Sequence, residues 1–361
     1  MKLIKLFALA LGMFAFASCG GDDNSGDTHK ATGDITLTAN NNSVEVNSPI
    51  TFTVTDSKGN DLTEQATILD KSHDYVDVPN PYTPTVDGEY RFIAVVGDMI
   101  APECKVNVVP SIPALPEDTN PSNTSFNHRI LLVDHTGNTC GKCPEMMKAL
   151  KQVSETGNFH KMYYEAMAHS YSQGDPAFSS AAAFVSSHFG VNAYPTATYN
   201  FYHSTTSPQN ASHIMSQINS LWKENGADAG IAASSSLATK SVVVNIEVKA
   251  AVENEYSVTA WLLEDNIEAP QTNATEDWMK IHNNAIRQRV DSETISGVAL
   301  GNIAVGQTKS TAVTLNLART DWVVDNMRVM VIVCAKNAKG KFDVANVAIC
   351  PLNGSVLYDY K

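Results

Sequence analysis

The stretch Thr139-Cys140-Gly141-Lys142-Cys143-Pro144 decides how this chain is read, because two cysteines separated by two residues can close a small, reversible disulfide at a helix start. The preceding Arg129-Ile130-Leu131-Leu132-Val133-Asp134 has the composition of a buried strand, and Met146, Met147, Leu150 and Val153 then recur at helical spacing. The pair therefore sits at a strand-to-helix turn. Free backbone N–H groups and the helix dipole favour an anion there. Sites of this kind lower a thiol from about 8.5 to roughly 3.5–7.5, which makes Cys140 the expected nucleophile and Cys143 the resolving thiol. Lys142 adds a positive charge beside the sulfurs.

Two further features accompany the pair. Asp134 lies six residues ahead of Cys140, and Tyr194-Pro195-Thr196 precedes one clear apolar strand, Ala197 to Tyr202. With the cysteine pair, these residues resemble the thioredoxin superfamily. The resemblance implies an α/β domain in which Asp134 is a buried carboxylate that moves a proton to or from the resolving thiol. It also implies that Pro195 is a cis-proline facing the disulfide and shaping a peptide-binding groove. A cis X-Pro bond costs only ~0.5–1 kcal/mol over trans, so tertiary contacts can hold it. Thr139 stands where many thioredoxins carry tryptophan, and His135 is not part of the pattern. A single strand between Pro195 and the next helix predicts a shortened sheet.

The N-terminus sets the compartment. Lys2 and Lys5 precede an apolar run from Leu6 to Phe16, too short to span a bilayer as a mature helix, so residues 1–18 read as a signal peptide. It ends in Phe16-Ala17-Ser18-Cys19, which resembles a bacterial lipobox with Cys19 as the lipidated residue; an ordinary cleaved signal with an incidental cysteine is the alternative. A polar tether over 19–33 follows. Its Gly20-Gly21-Asp22-Asp23 resembles the acidic signal that exports some lipoproteins to the outer face of the outer membrane.

Three domains are expected beyond the tether. Ile35-Thr36-Leu37-Thr38, Thr51 to Thr55 and Glu89 to Ile93 alternate in polarity between turn signals, the pattern of a small immunoglobulin-like β-sandwich over 34–109. A proline-rich linker, 110–124, leads to the thioredoxin-like domain, 125–227. Alternation returns in Val242 to Val248, Tyr256 to Leu262, Ala312 to Leu317 and Arg328 to Val333, which predicts a C-terminal β-sandwich over 228–361. The formal net charge of −13 argues against nucleic-acid binding, which needs a clustered basic surface.

Six cysteines divide into Cys19, the Cys140/Cys143 pair and three others. Cys334 and Cys350 flank an expected hairpin turn from Asn337 to Lys341. Centring it on Lys339 sets Cys334 opposite Val344 and leaves Cys350 six residues further along, ~20 Å away at about 3.4 Å per residue. A disulfide needs roughly 4.4–6.8 Å between Cα atoms, so no bond is expected in this register, although another register would reopen it. Cys104 reads as a small buried residue. Structural zinc wants four ligands, and none lies at suitable spacing. Covalent haem wants histidine where Pro144 stands. The histidines show no metalloprotease spacing, and Ser234-Ser235-Ser236 lacks a hydrolase elbow. His135 and His169 are either near the disulfide or hydrogen-bonded strand-end residues.

The longer run Leu131 to Pro144, with Leu262 to Glu268, Gln271 and His282-Asn283-Asn284-Ala285-Ile286-Arg287, resembles a family of Gram-negative outer-membrane lipoproteins related to outer membrane protein twenty-eight. The likeness covers about 125–361 and implies a thioredoxin-like domain followed by a β-rich one. His282 and Arg287 are expected to fasten a polar excursion to the sheet or to contact a ligand. Two functions stay open. One is a lipid-anchored thiol:disulfide oxidoreductase whose partners are extracytoplasmic protein thiols or disulfides; it needs no organic cofactor, since the disulfide carries the electrons. The other is a surface binding or adhesion lipoprotein whose disulfide is a static staple.

Overall fold

The computed structural model describes residues 33–201, 203–206, 210–317 and 321–361. The signal peptide, Cys19 and all of the tether but Gly33 lie outside the described residues. Contacts divide the described residues into two compact units: one draws on residues 33–42, Pro49–Tyr82 and Glu89–Val106, the other on Ser43–Ser48, Thr83–Gly88 and the described part of Asn107–Lys361. Both are β-rich. In the first, strand Ile35–Ala39 pairs antiparallel with Phe52–Asp56, and Thr67–Asp70 pairs antiparallel with Val76–Val78. Ile35, Leu37, Phe52, Val54 and Phe92 point inward while their neighbours face solvent, the period-two pattern that their sequence shows. Cys104 is half-buried rather than buried as expected: it shares the inward face of its strand, Cys104–Val109, with the buried Val106 and Val108, but stands at the strand's first position, where cover is incomplete.

The second unit is organised on one nine-stranded sheet. Its strands are β1 (Ile130–Thr136), β2 (Tyr163–His169), β3 (Thr196–Tyr199), β4 (His203–Thr206), β5 (Asn254–Glu264), β6 (Ala285–Arg289), β7 (Val298–Ile303), β8 (Met327–Lys336) and β9 (Phe342–Pro351). They lie in the order β4-β3-β1-β2-β6-β5-β8-β9, with β7 also on β5. β1 and β2 are parallel, and β3 runs antiparallel to β1 and to β4. Helix α1 (Cys143–Glu155) makes the crossover from β1 to β2, α2 (Ser180–His188) leads from β2 towards β3, and α3 (Ala211–Leu221) follows β4.

β3 and β4 correct the single strand expected from Ala197 to Tyr202. Asn200 and Phe201 adopt φ of 49° and 68°, left-handed values that reverse the chain, so the segment is a hairpin of two short strands. Asn200 tolerates this conformation, and its side chain is used: Oδ1 accepts from the Leu131 N–H at 2.9 Å.

All seven residues of β1 are buried because both faces are covered, as in a central parallel strand. Ile130 and Leu132 pack beneath α1 and α3 against Met146, Leu150 and Ile214. Leu131 and Val133 face the other way, onto Ala181, Ala182 and Val185 of α2. That second core continues through Trp261, Leu263, Met330 and Ile332 of β5 and β8. Truncating the fully buried Trp261 to alanine should cost about 3–5 kcal/mol.

The opposite face of β5 and β8 meets a four-stranded sheet containing Ala229–Leu237, Ser241–Ala250, Thr308–Asn316 and Ser355–Val356. The sheet is continuous across residue 228: the Met167 N–H of β2 donates to the Asn284 carbonyl at 2.8 Å, and Met167 pairs with Ala285 of β6. In the β8–β9 hairpin Cys334 stands opposite Val344, as the turn spacing predicts, while Cys350 stands opposite Val329, one residue off that count because the register shifts between Val333 and Cys334; both thiols are free and buried.

Candidate functional site

β1 delivers the chain into a loop, residues 137–142, from which α1 starts. Pro144 sits in the first turn of α1, where its missing N–H breaks no helical bond. Met146, Leu150 and Val153 then seat the helix on β1, which fixes its N-terminus beside the loop. Cys140 and Cys143 are joined as a disulfide with their Cα atoms 5.5 Å apart, and the Cys143 N–H donates to the Cys140 carbonyl at 3.3 Å. Thr139, Gly141 and Lys142 are exposed, whereas Cys140 is 4% and Cys143 0% exposed.

Asp134 lies on the α1 face of the sheet, two positions from Leu132. It is 0% exposed, and neither carboxylate oxygen has a hydrogen-bond partner among the described residues. Burial, and then the charge of Glu165, raises its pKa well above the ordinary carboxylate value. His135, one residue on, faces the other way. Its ring nitrogens meet Ser186 Oγ at 2.7 Å and Thr198 Oγ1 at 3.0 Å, and burial lowers its pKa to about 3. It is a core residue under α2 and takes no part in the disulfide site.

The Tyr194–Pro195 peptide is cis. Because β3 is antiparallel to β1 with Thr196 opposite His135, Pro195 stands at the same sheet edge as the disulfide loop. The edge also carries an aromatic pair, Tyr171 and Tyr194, with ring centroids 5.1 Å apart, and Tyr171 is half exposed. Gly137 allows this approach: a Cβ there would come within 2.5 Å of Tyr171 Cβ.

A segment from the far half of the chain closes over the loop. Gln271 Nε2 donates to the Cys140 carbonyl at 3.0 Å and to the Gly137 carbonyl at 3.4 Å. The Thr272 N–H donates to the Asn138 carbonyl at 2.8 Å, and Asn273 Nδ2 to the Gly141 carbonyl at 3.0 Å. Four loop carbonyls are thus held by three consecutive residues of the excursion between β5 and β6. Gln271 belongs to the motif noted in the sequence, but nothing there pairs it with the cysteines.

Behind the loop, His169 Nδ1 pairs with Asp175 Oδ2 at 2.8 Å, and the same oxygen accepts from the Asn138 N–H at 2.7 Å. Burial works to raise the Asp175 carboxyl, but His169 and the Asn138 and Ala177 N–H groups hold it below its usual range. The His169 and His282 rings meet edge to face at 4.8 Å, and burial, then His169, lowers His282 to about 4. His282 and Arg287 anchor the excursion, as one of the two expectations has it. Arg287 Nε donates to Glu264 at 2.6 Å and Nη1 to the Pro176 carbonyl at 2.9 Å, with the guanidinium over Trp322 at 5.6 Å.

Similarity to known proteins bears mainly on the later part of this unit. Residues 182–352 match the family model described as outer membrane protein Omp28, a span that runs from α2 to β9 and leaves out the disulfide loop. Among solved structures, HBP35 of Porphyromonas gingivalis superposes with a TM-score of 0.51 at 15% identity, over 64% of this chain and 77% of that one, a likeness of fold. Surface layer protein SbsC, domains 4–9, reaches a TM-score of only 0.17 at 10% identity, over 88% of this chain and 50% of that one, and carries no argument. No curated protein matches the sequence.

Proposed function

We propose that this protein is a thiol:disulfide oxidoreductase of the Gram-negative cell envelope, held to the outer membrane by lipid at Cys19 and acting on extracytoplasmic proteins. The Omp28 match supports the outer-membrane placement. Residues 125–227 act as a thioredoxin-like domain, supported by the order β4-β3-β1-β2, the α1 crossover, the cis peptide before Pro195 and the disulfide at the start of α1. Residues 34–109 serve as an immunoglobulin-like module, and residues 228–361 support the disulfide domain from one side.

The observation that carries the activity is Asp134. A fully buried carboxylate with no hydrogen-bond partner among the described residues costs stability, and such groups concentrate where a proton must be moved. In this function a client thiolate attacks the Cys140 sulfur, Cys143 leaves, and Asp134 supplies its proton; in the reverse direction Cys140 attacks and Asp134 takes the proton from Cys143. Pro195 and the Tyr171/Tyr194 edge offer the client a surface.

A second function has its own observation. The sulfurs are almost wholly buried and the loop carbonyls are held by Gln271, Thr272 and Asn273, which suits a static staple in a surface binding or adhesion protein. Equilibrating the disulfide in a glutathione series, read by alkylation and mass spectrometry, separates the two. Reversible exchange within the range of envelope partners, lost in Cys140→Ser, is the expected result. A bond that stays closed to below about −300 mV would instead mark a structural disulfide.

A further inference from the structure

We propose that Glu165 is the outer member of a two-carboxylate proton relay, carrying a proton between Asp134 and solvent each time the Cys140–Cys143 disulfide opens or closes. The inference rests on the redox function above and extends it to the route by which the proton travels.

Asp134 has no contact with water, and Cys143 is equally enclosed. A proton given to the departing Cys143 thiolate must be replaced from somewhere. β2 lies beside β1 with Glu165 opposite Leu132 and Met167 opposite Asp134. Side chains alternate along a strand, so Glu165 and Asp134 share the α1 face as diagonal neighbours, within reach of one another. Glu165 is half-buried and lines a cavity of about 430 Å³ with Met147, Leu150, Lys151, Ser154 and Trp278. One end of the pair is sealed under the helix and the other opens to water.

The surrounding charges suit the task. Asp134 faces Glu165 from β1, Tyr163 from its own strand and Lys151 from α1. Lys151 pairs with Glu155 and lies over the Trp278 ring at 5.8 Å, so its charge is engaged away from Glu165. Burial raises the Glu165 carboxyl to about 7, which lets it hold and release a proton near neutral pH.

The relay closes the proton balance of the exchange. A client dithiol supplies two electrons: its first thiolate bonds to Cys140 and breaks the Cys140–Cys143 bond. Cys143 leaves with the electron pair and takes a proton from Asp134. The client's second thiolate then attacks the mixed disulfide, forming the client disulfide and releasing Cys140, which is protonated from solvent. Asp134 is recharged by Glu165 and Glu165 by water in the cavity, while the two protons of the client thiols enter solvent.

The test measures reduction of the full-length chain by dithiothreitol from pH 5 to 9, corrected for the thiolate fraction of the reagent. The wild type should show an inflection near pH 7 that disappears in Glu165→Gln, with reduction about tenfold slower, and returns in Glu165→Asp. Carboxyl carbon resonances add a readout of Asp134 itself, which should titrate in two coupled steps in the wild type and in one in Glu165→Gln. A reducible wild type whose profile and Asp134 titration are unchanged by Glu165→Gln overturns the relay and leaves the redox function standing. A wild-type disulfide that dithiothreitol never opens overturns both.

Discussion

Gln271 donates from Nε2 to the Cys140 carbonyl at 3.0 Å, across a sequence separation of 131 residues. Its neighbour Asn273 reaches the Gly141 carbonyl in the same way. The disulfide loop is therefore held by the excursion between β5 and β6 as well as by its own helix, and the sulfurs beneath are closed to solvent. If this clamp limits access, Gln271→Ala combined with Asn273→Ala should speed reduction by dithiothreitol. The two side chains donate three hydrogen bonds to the loop, and even at about 0.5 kcal/mol each, the low end for such bonds, their loss corresponds to roughly tenfold. Unchanged kinetics would mean that the sulfurs are reached without opening the segment.

Asp134 makes a prediction about stability with a definite sign. Burial, and then the charge of Glu165, holds its folded-state pKa above the unfolded value. Between the two values the unfolded chain has released a proton that the folded chain keeps, so stability falls as pH rises through that window and stays reduced above it. Asp134→Asn should therefore stabilise the fold by about 1–3 kcal/mol at pH 8. The gain should vanish below about pH 4, where the acid is protonated in both states. Denaturant unfolding at the two pH values measures it, and an equal gain at both would remove ionisation as the cause. The same variant should slow thiol exchange while gaining stability, the combination expected when a costly group is kept for its chemistry.

How much of this was legible in the sequence depended on the range of each interaction. The disulfide loop and α1 follow from local spacing, since Pro144, Met146, Leu150 and Val153 lie within one helix. Cys334 opposite Val344 follows from counting back from a turn. The β3–β4 reversal was missed because Phe201, an apolar residue continuous with the strand before it, takes a left-handed φ that nothing in its composition signals. Glu165 carries no local signal, since its partner is set by parallel pairing that skips the whole of α1. The four carbonyl contacts of Gln271, Thr272 and Asn273 were illegible for the same reason: the residues were visible, but not what they face. His135 was ambiguous until strand alternation put it on the α2 side, one residue and one face away from Asp134.

Arg287 and Glu264 form the buried pair that holds the excursion, and through it the clamp, on the sheet. Their side chains are 4% and 3% exposed, and Glu264 also accepts from the Val323 N–H at 2.9 Å. Removing one partner leaves the other charge buried and uncompensated, so Arg287→Met should cost about 3–5 kcal/mol. It would also free the Pro176 and Phe178 carbonyls that the guanidinium holds beside Asp175. Combining it with Glu264→Met should recover much of the loss, because an apolar pair needs no compensation. A denaturation double-mutant cycle reads the coupling directly, and additive losses would show that the two side chains act separately. Dithiothreitol reduction of the same variants then carries the argument to the disulfide. If the excursion controls access, Arg287→Met should expose Cys140 to the reagent under conditions where the chain as a whole stays folded.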